Sequence, residues 1–235
     1  MPINTSYWVR ATIAYMKRLL LLPGYLEDGT IFDTLRPLLP PAQVEVIELE
    51  PNLAQWQPRG PVSAVTLARY LAERYGIGPA DVVIGHSMGG WIAAHIKAET
   101  GATAILLSSF TDQHKVVAAS RNPLLLRLYA YLGLGRNRWL RERAKRQYQF
   151  EESRELFAQL ADGLVRIPRR YVHRQLQVLF APVPRLAVSP ELRVHAVADN
   201  VVYPPDEPFL EIPGDHFAHY YYPEVVAAAI GRILS

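Results

Sequence analysis

With 235 residues, half of them apolar and a fifth charged, the chain is long enough to bury a substantial core and too hydrophobic for a disordered one. Its formal net charge of +3 is too small to point to nucleic acid as a partner. The absence of cysteine excludes disulfides, a thiol nucleophile and cysteine-ligated zinc, and it fits a reducing compartment.

Met16 opens directly onto a strand-like run, so residues 1–15 read as an N-terminal extension: an over-long start or a dispensable arm. Lys17 and Arg18 ahead of Leu19–Leu22 faintly resemble a signal peptide. However, the apolar run is short, ends at Pro23-Gly24 and has no small-residue cleavage site behind it. No stretch reaches the roughly 18 apolar residues that a membrane helix needs. The expectation is a cytoplasmic protein with no integral membrane segment.

Short apolar runs then alternate with helical patterns. Strands are expected at Leu19–Leu22, Val44–Leu49, Asp81–Gly85, Thr103–Ser108, Leu192–Val197 and Phe209–Ile212, each bounded by Pro, Gly or polar residues. Continuous apolar runs of this length suit strands buried on both faces, as in a parallel sheet. Helices are expected over Ser63–Tyr75, over Met88–Thr100 with Gly101 as its stop, and over Pro223–Leu234. The alternation predicts an α/β fold: a mostly parallel central sheet flanked by helices, with right-handed crossovers.

The rhythm breaks between Phe110 and Pro182. That stretch has no convincing strand and several helical patterns, among them Leu124–Leu132 and Glu151–Leu164. It reads as a helical cap or lid at 111–182 inserted into a core made of 16–110 and 183–235. The run Leu124–Leu134 is too short to span a membrane and is expected on the inner face of the cap, with a lipid surface as the other place for it.

Gly85-His86-Ser87-Met88-Gly89 is the central chemical signal. G-x-S-x-G is common enough by itself to say little. Here a Val/Ile strand ends in it and a helix opens from it, which is the setting of a nucleophile elbow. The turn is so tight that side chains beside Ser87 would strike backbone, and the serine is held at strained φ/ψ. The following helix aims its N–H groups and positive dipole end at the hydroxyl, favouring a developing oxyanion.

From these residues the chain resembles the α/β-hydrolase superfamily, over most of its length outside the insertion. The resemblance implies the α/β-hydrolase fold, no cofactor, no metal, and a triad in the order Ser, acid, His. His216, in Ile212-Pro213-Gly214-Asp215-His216-Phe217, looks like the family's histidine loop. It would act as base and then acid, with His219, expected at the rim or at the entry of the final helix, as its rival. Asp199, in Val197-Ala198-Asp199-Asn200, resembles the acid loop, although Ala196 stands where the family usually has glycine. It would orient the imidazole, with Asp206 as the rival acid. Pro23-Gly24-Tyr25 follows the first strand where the family often has His-Gly. Backbone N–H groups of Tyr25 and Met88 would then form the oxyanion hole, with Leu26 as another donor. The stretch from Asn200 to Pro208 is too short and too rich in proline for the helix that family members commonly place there.

The implied reaction is hydrolysis of a small-molecule carboxylic ester or thioester through an acyl-enzyme. A serine nucleophile separates the chain from the superfamily's dehalogenases, which use aspartate. The other reading is a ligand-sensing protein on the same scaffold with an idle triad. Fast multiple turnover of a simple ester distinguishes the two.

The remaining features read as structural. His86 and His95 are expected to be packed or at the surface, and His114, His173 and His195 have no metal-ligand spacing. Gly133-Leu134-Gly135 reads as a helix break. Arg136–Arg146 holds six cationic residues and one acidic residue around Trp139. It reads as a solvated helix, or as a surface attracting an anionic acyl substrate or an acidic acyl carrier.

Overall fold

The computed structural model describes residues 17–118 and 120–235; the expected N-terminal extension, 1–15, lies outside them. The elements are, in chain order, β1 (Arg18–Leu22), β2 (Gln43–Val46), α1 (Leu49–Gln55), α2 (Ala64–Tyr75), β3 (Val82–His86), α3 (Met88–Thr100) and β4 (Thr103–Leu107). There follow α4 (Pro123–Leu132), α5 (Arg138–Gln147), α6 (Arg154–Gly163), α7 (Arg169–Phe180), β5 (Leu192–His195), β6 (Leu210–Glu211), α8 (Ala218–Tyr221) and α9 (Pro223–Leu234).

The six strands pair in parallel in the order β2-β1-β3-β4-β5-β6. Alternation along β1 explains its unbroken leucine run. Leu20 and Leu22 pack with Leu67, Leu71 and Ile92 of α2 and α3. Leu19 and Leu21 point the other way, towards Ile31, Phe32, Val226 and Ile230. A strand covered on both faces has no position where a polar residue would be tolerated.

Strand order reverses between β1 and β3, because the chain leaves β1 for one side of the sheet and later builds outward on the other. At such a switch point the loops after the two strands part and leave a crevice at their carboxyl ends. Pro23–Tyr25 and Ser87 stand at that crevice.

Two expectations need correction. The strand expected over Val44–Leu49 ends at Val46, and Leu49 instead begins α1. The four-residue spacing of Leu49 and Leu53, both buried, is the helical signal that the strand reading overlooked. The run Leu124–Leu134 forms an inner face only in part: Tyr129 and Leu134 line the cavity beside Ser87. Leu124, Leu125, Leu128, Tyr131 and Leu132 are exposed, and within α4 only Ala130 is buried. The helix packs against α7, and these five apolar side chains are left facing outward.

Between β4 and β5 the described residues carry four α-helices and no strand of the sheet. Helix α7 ties this segment to the rest: Tyr171, Gln175, Val178 and Leu179 are buried, and the Arg174 guanidinium donates to the carbonyls of Leu53 and Trp56, each at 2.7 Å. No helix among the described residues is long and apolar enough to cross a membrane.

Candidate active site

Ser87 stands between β3 and α3 at φ 50° and ψ −119°, a left-handed region that costs a residue with a side chain about 1–3 kcal/mol. The strain persists because the surroundings allow nothing else. A Cβ on Gly85 would come within 2.3 Å of the Gly89 backbone, and one on Gly89 within 2.0 Å of the Leu22 carbonyl. Ser87 is itself anchored: its N–H donates to Leu107 O at 3.0 Å, and its carbonyl accepts from Ser109 Oγ at 2.6 Å and Gly90 N–H at 3.0 Å.

The loop after β1 faces this elbow. Gly24 N–H donates to Glu27 Oε2 at 2.7 Å, and Leu26 N–H donates to Gln175 Oε1 at 3.0 Å. Leu26, the other candidate oxyanion donor, is therefore already engaged. Tyr25 N–H, between them, has no hydrogen-bond partner among the described residues. Met88 is the first residue of α3, where an N–H has no partner within its own helix.

Asp199 is buried, and its carboxylate is fully engaged. Oδ1 accepts the N–H groups of Val201 and Val202 at 2.8 and 2.9 Å, and Oδ2 accepts from His216 Nδ1 at 2.8 Å. The His195 ring lies 3.4 Å from the same oxygen. Burial by itself would raise this carboxyl, but the His216 charge and hydrogen bond, the backbone N–H groups and His195 together hold it below the usual aspartate range. Burial likewise works to lower His216. The Asp199 charge and hydrogen bond, with Glu27 and Asp215 nearby, overcome it and hold the imidazole above its ordinary value. With Nδ1–H committed to Asp199, neutral His216 keeps Nε2 free to accept a proton.

Ser87 and His216 line one cavity of about 400 Å³, together with Tyr25, Tyr129, Leu140, Phe157 and Leu160. The Asp199–His216 hydrogen bond is formed. A hydrogen bond from Ser87 Oγ to His216 is not formed among the described residues, as is common before substrate binds.

The rivals go elsewhere. Asp206 is exposed and pairs with Lys115 at 2.6 Å. His219, expected at the rim or at the entry of the last helix, is fully buried. The short helix α8 turns it inward, where Nε2 meets Ile31 O at 3.2 Å and its ring lies 4.2 Å from that of His86. Burial and two neighbouring imidazoles push it well below the usual histidine range. His95 is packed edge-on against Trp91, and burial takes it down to about 4. Asp112, Gln113, His114 and the other polar side chains of 111–115 border a separate surface hollow. Among the described residues no group of three or more His, Asp or Glu side chains could hold a metal ion.

Sequence reasoning missed a second polar unit behind the first. His86 is fully buried, its Nδ1 2.7 Å from Glu27 Oε2 and its Nε2 3.0 Å from the His216 carbonyl. A carbonyl only accepts, so Nε2 is the donor in the contact with His216 O. Glu27 and His86 together thereby join the loop after β1, the elbow and the His216 loop. Asp215 is the other unforeseen link. It accepts from Tyr148 OH, from Ser153 Oγ at 2.5 Å and from Phe217 N–H at 3.0 Å, tying 148–153 to the histidine loop. The sequence signal for Glu27 was its distance of three residues from Gly24, too generic to single out.

The model of the alpha/beta hydrolase family matches residues 19–229. Among solved structures, an esterase from Thermogutta terrifontis is 19% identical with a TM-score of 0.66, covering 93% of this chain and 89% of that one. An enol-lactonase from Burkholderia xenovorans LB400 is 13% identical with a TM-score of 0.68, over 93% and 91% of the two chains. A thioesterase of the prodiginine biosynthetic pathway in Streptomyces coelicolor is 16% identical with a TM-score of 0.55, over 93% and 91%. At such identities the likeness is one of fold. No curated protein sequence matches the chain.

Proposed function

The chain belongs to the alpha/beta hydrolase family, and on that premise we propose that it is a serine hydrolase cleaving a carboxylic ester or thioester through an acyl-enzyme. The observation that carries this reading is the buried Asp199–His216 pair at 2.8 Å, whose histidine lines the same cavity as a strained Ser87.

In the proposed reaction, Ser87 Oγ attacks the acyl carbon as its proton passes to His216 Nε2. The imidazolium that forms is stabilised by Asp199, which stays ionised. The carbonyl oxygen becomes an oxyanion held by the N–H groups of Met88 and Tyr25, each worth about 3 kcal/mol in the transition state. His216 then gives its proton to the leaving alkoxide or thiolate, and the acyl group remains on Ser87. Water, deprotonated by the same imidazole, releases the carboxylic acid and restores the serine.

The cavity supports an apolar acyl group. Leu140, Phe157, Leu160 and Leu164 give it a hydrocarbon wall, and Arg141 is the cation within it. The helices that supply this wall form the proposed cap, 111–182. Labelling by a fluorophosphonate probe tests the reading directly. Modification of the wild-type protein at Ser87, lost in Ser87→Ala, is expected; no labelling alongside no turnover of p-nitrophenyl esters would overturn it.

A further inference from the structure

Helix α4 is apolar on the side that faces away from the protein. At 100° per residue, Leu124, Leu125, Leu128, Tyr131 and Leu132 fall within an arc of about 120°. All five are exposed, Leu124 by 74% and Tyr131 by 72%. In α5, Trp139 is 63% exposed, with the Arg143 guanidinium 5.7 Å from its ring centroid. Nine of the sixteen exposed large apolar side chains among the described residues lie between 124 and 140. The other seven are spread over the rest of the chain. Apolar surface gathered in this way marks a place of interaction.

Charge is gathered in the same stretch. Residues 121–146 hold Arg121, Arg127, Arg136, Arg138, Arg141, Arg143, Lys145 and Arg146 against the single acidic Glu142. That is a net +7 in a chain of net +3, so the remainder carries −4. Among the described residues only Arg141 and Lys145 of the eight form ion pairs. Leucines and a tryptophan bordered by arginines are what an anionic lipid surface accommodates: apolar side chains enter the boundary between headgroup and acyl chain, and the guanidinium groups meet lipid phosphates. An acidic protein would answer the arginines but would still have to cover the leucine arc.

We propose that the face formed by α4 and α5 docks this protein peripherally on an anionic lipid surface. Tyr129, Leu134 and Leu140, each more than a third exposed, also line the cavity that holds Ser87. The docked face therefore adjoins the cavity, which places a lipid-borne ester within reach. That last step rests on the hydrolase reading, whereas docking does not.

The test is flotation of the full chain with vesicles of phosphatidylcholine alone and of equal parts phosphatidylcholine and phosphatidylglycerol. Binding to the anionic vesicles, weakened by salt, is expected. The combined variant Leu124→Ser, Leu128→Ser, Leu132→Ser should reduce it by at least about tenfold, as should Arg138→Glu with Arg143→Glu. Both variants should keep the wild-type melting midpoint and the wild-type turnover of a soluble short-chain ester. Ser87→Ala should bind vesicles as the wild type does, so that a failure of the hydrolase reading does not appear as a failure of docking. The proposal is overturned by equal binding to both kinds of vesicle or to neither, or by serine variants that bind normally. Two results would assign the face to other partners and overturn it as well: a wild-type dimer that the serine variants dissolve, and binding of an acidic acyl carrier protein with no vesicle binding.

Discussion

At the carboxyl edge of the sheet the buried carboxylates of the site are held by donors, whereas the helices between 123 and 147 present leucines to solvent together with arginines of which, among the described residues, only Arg141 has a carboxylate partner. The two regions line opposite parts of one cavity, yet they are built under different constraints. The sheet edge is surrounded on all sides, so an unpaired group there would carry its full desolvation cost, about 1–3 kcal/mol. Glu27, His86, Asp199, Asp215 and His216 accordingly form a linked set in which Glu27 Oε2 and both carboxylate oxygens of Asp199 and of Asp215 accept donors. The helical segment touches the rest of the protein along fewer surfaces. Its sequence is free to carry residues that serve something outside the molecule. The difference teaches where selection for chemistry and selection for contact act in this chain.

The largest expected effect falls on the sheet edge. Ser87→Ala should lower kcat by about 10⁴-fold or more and leave the melting midpoint unchanged, and a fall in both together would remove the distinction between site and scaffold. His216→Ala should match it, without adding to it in the double variant. His219→Ala should instead lower the midpoint and leave kcat per folded molecule close to the wild-type value, because His219 packs behind the site. Steady-state kinetics with calorimetry separates the two outcomes.

Packing gives the next contrast. Leu21→Ala, within the sheet, should cost about 2–5 kcal/mol in a denaturant titration. Leu128→Ala, on the open side of α4, should stay within about 0.5 kcal/mol. Similar losses at both positions would mean that the leucine arc is covered in solution.

A smaller effect is expected at Glu27. Glu27→Gln removes the carboxylate that meets His86 Nδ1 and one of the charges that raise His216. It should lower kcat by roughly tenfold with little change in KM and move the rising limb of the kcat/KM–pH profile to lower pH. A loss of activity with an unmoved profile would leave Glu27 a purely structural role.

The pH dependence divides the histidines in the same manner. His216 must be neutral to accept a proton, and its imidazole is held above the ordinary value of 6.5. The kcat/KM limb should therefore rise at a pH above that value. The sign is opposite for stability. The contribution of His216 is complete below its unfolded pKa and is lost as pH rises through the folded one. His95, His195 and His219 are all held below their ordinary values. Unfolding lets them take up protons, so stability falls as pH drops below about 6.5, for His95 down to about 4. Melting midpoints between pH 4 and 9 check both signs.

Much of this was legible in the order of residues. A run of four leucines between charged residues and Pro23-Gly24 can only be a strand covered on both faces, because no register would give it a polar side. Ser63 ahead of an apolar period and Gly101 behind one mark helix ends by local hydrogen bonding and by backbone freedom, and both are found at those ends. The glycines around Ser87 demand a turn where backbone meets backbone, and the distances at Gly85 and Gly89 show that demand. These are local facts, settled within a few residues of chain. What the sequence could not settle were contacts across distance. Whether Leu124–Leu132 faced in or out depended on which side of the helix α7 occupied, and α7 begins 37 residues after Leu132. Whether His219 was a rim residue or a buried one depended on the segment at Ile31, 188 positions away. Glu27 became notable only when the fold brought His86 to it and the His216 carbonyl to His86. Periodicity and sterics act along the chain and can be read from it; the pairing of buried charges arises only where separate loops converge, and that convergence belongs to the tertiary structure alone.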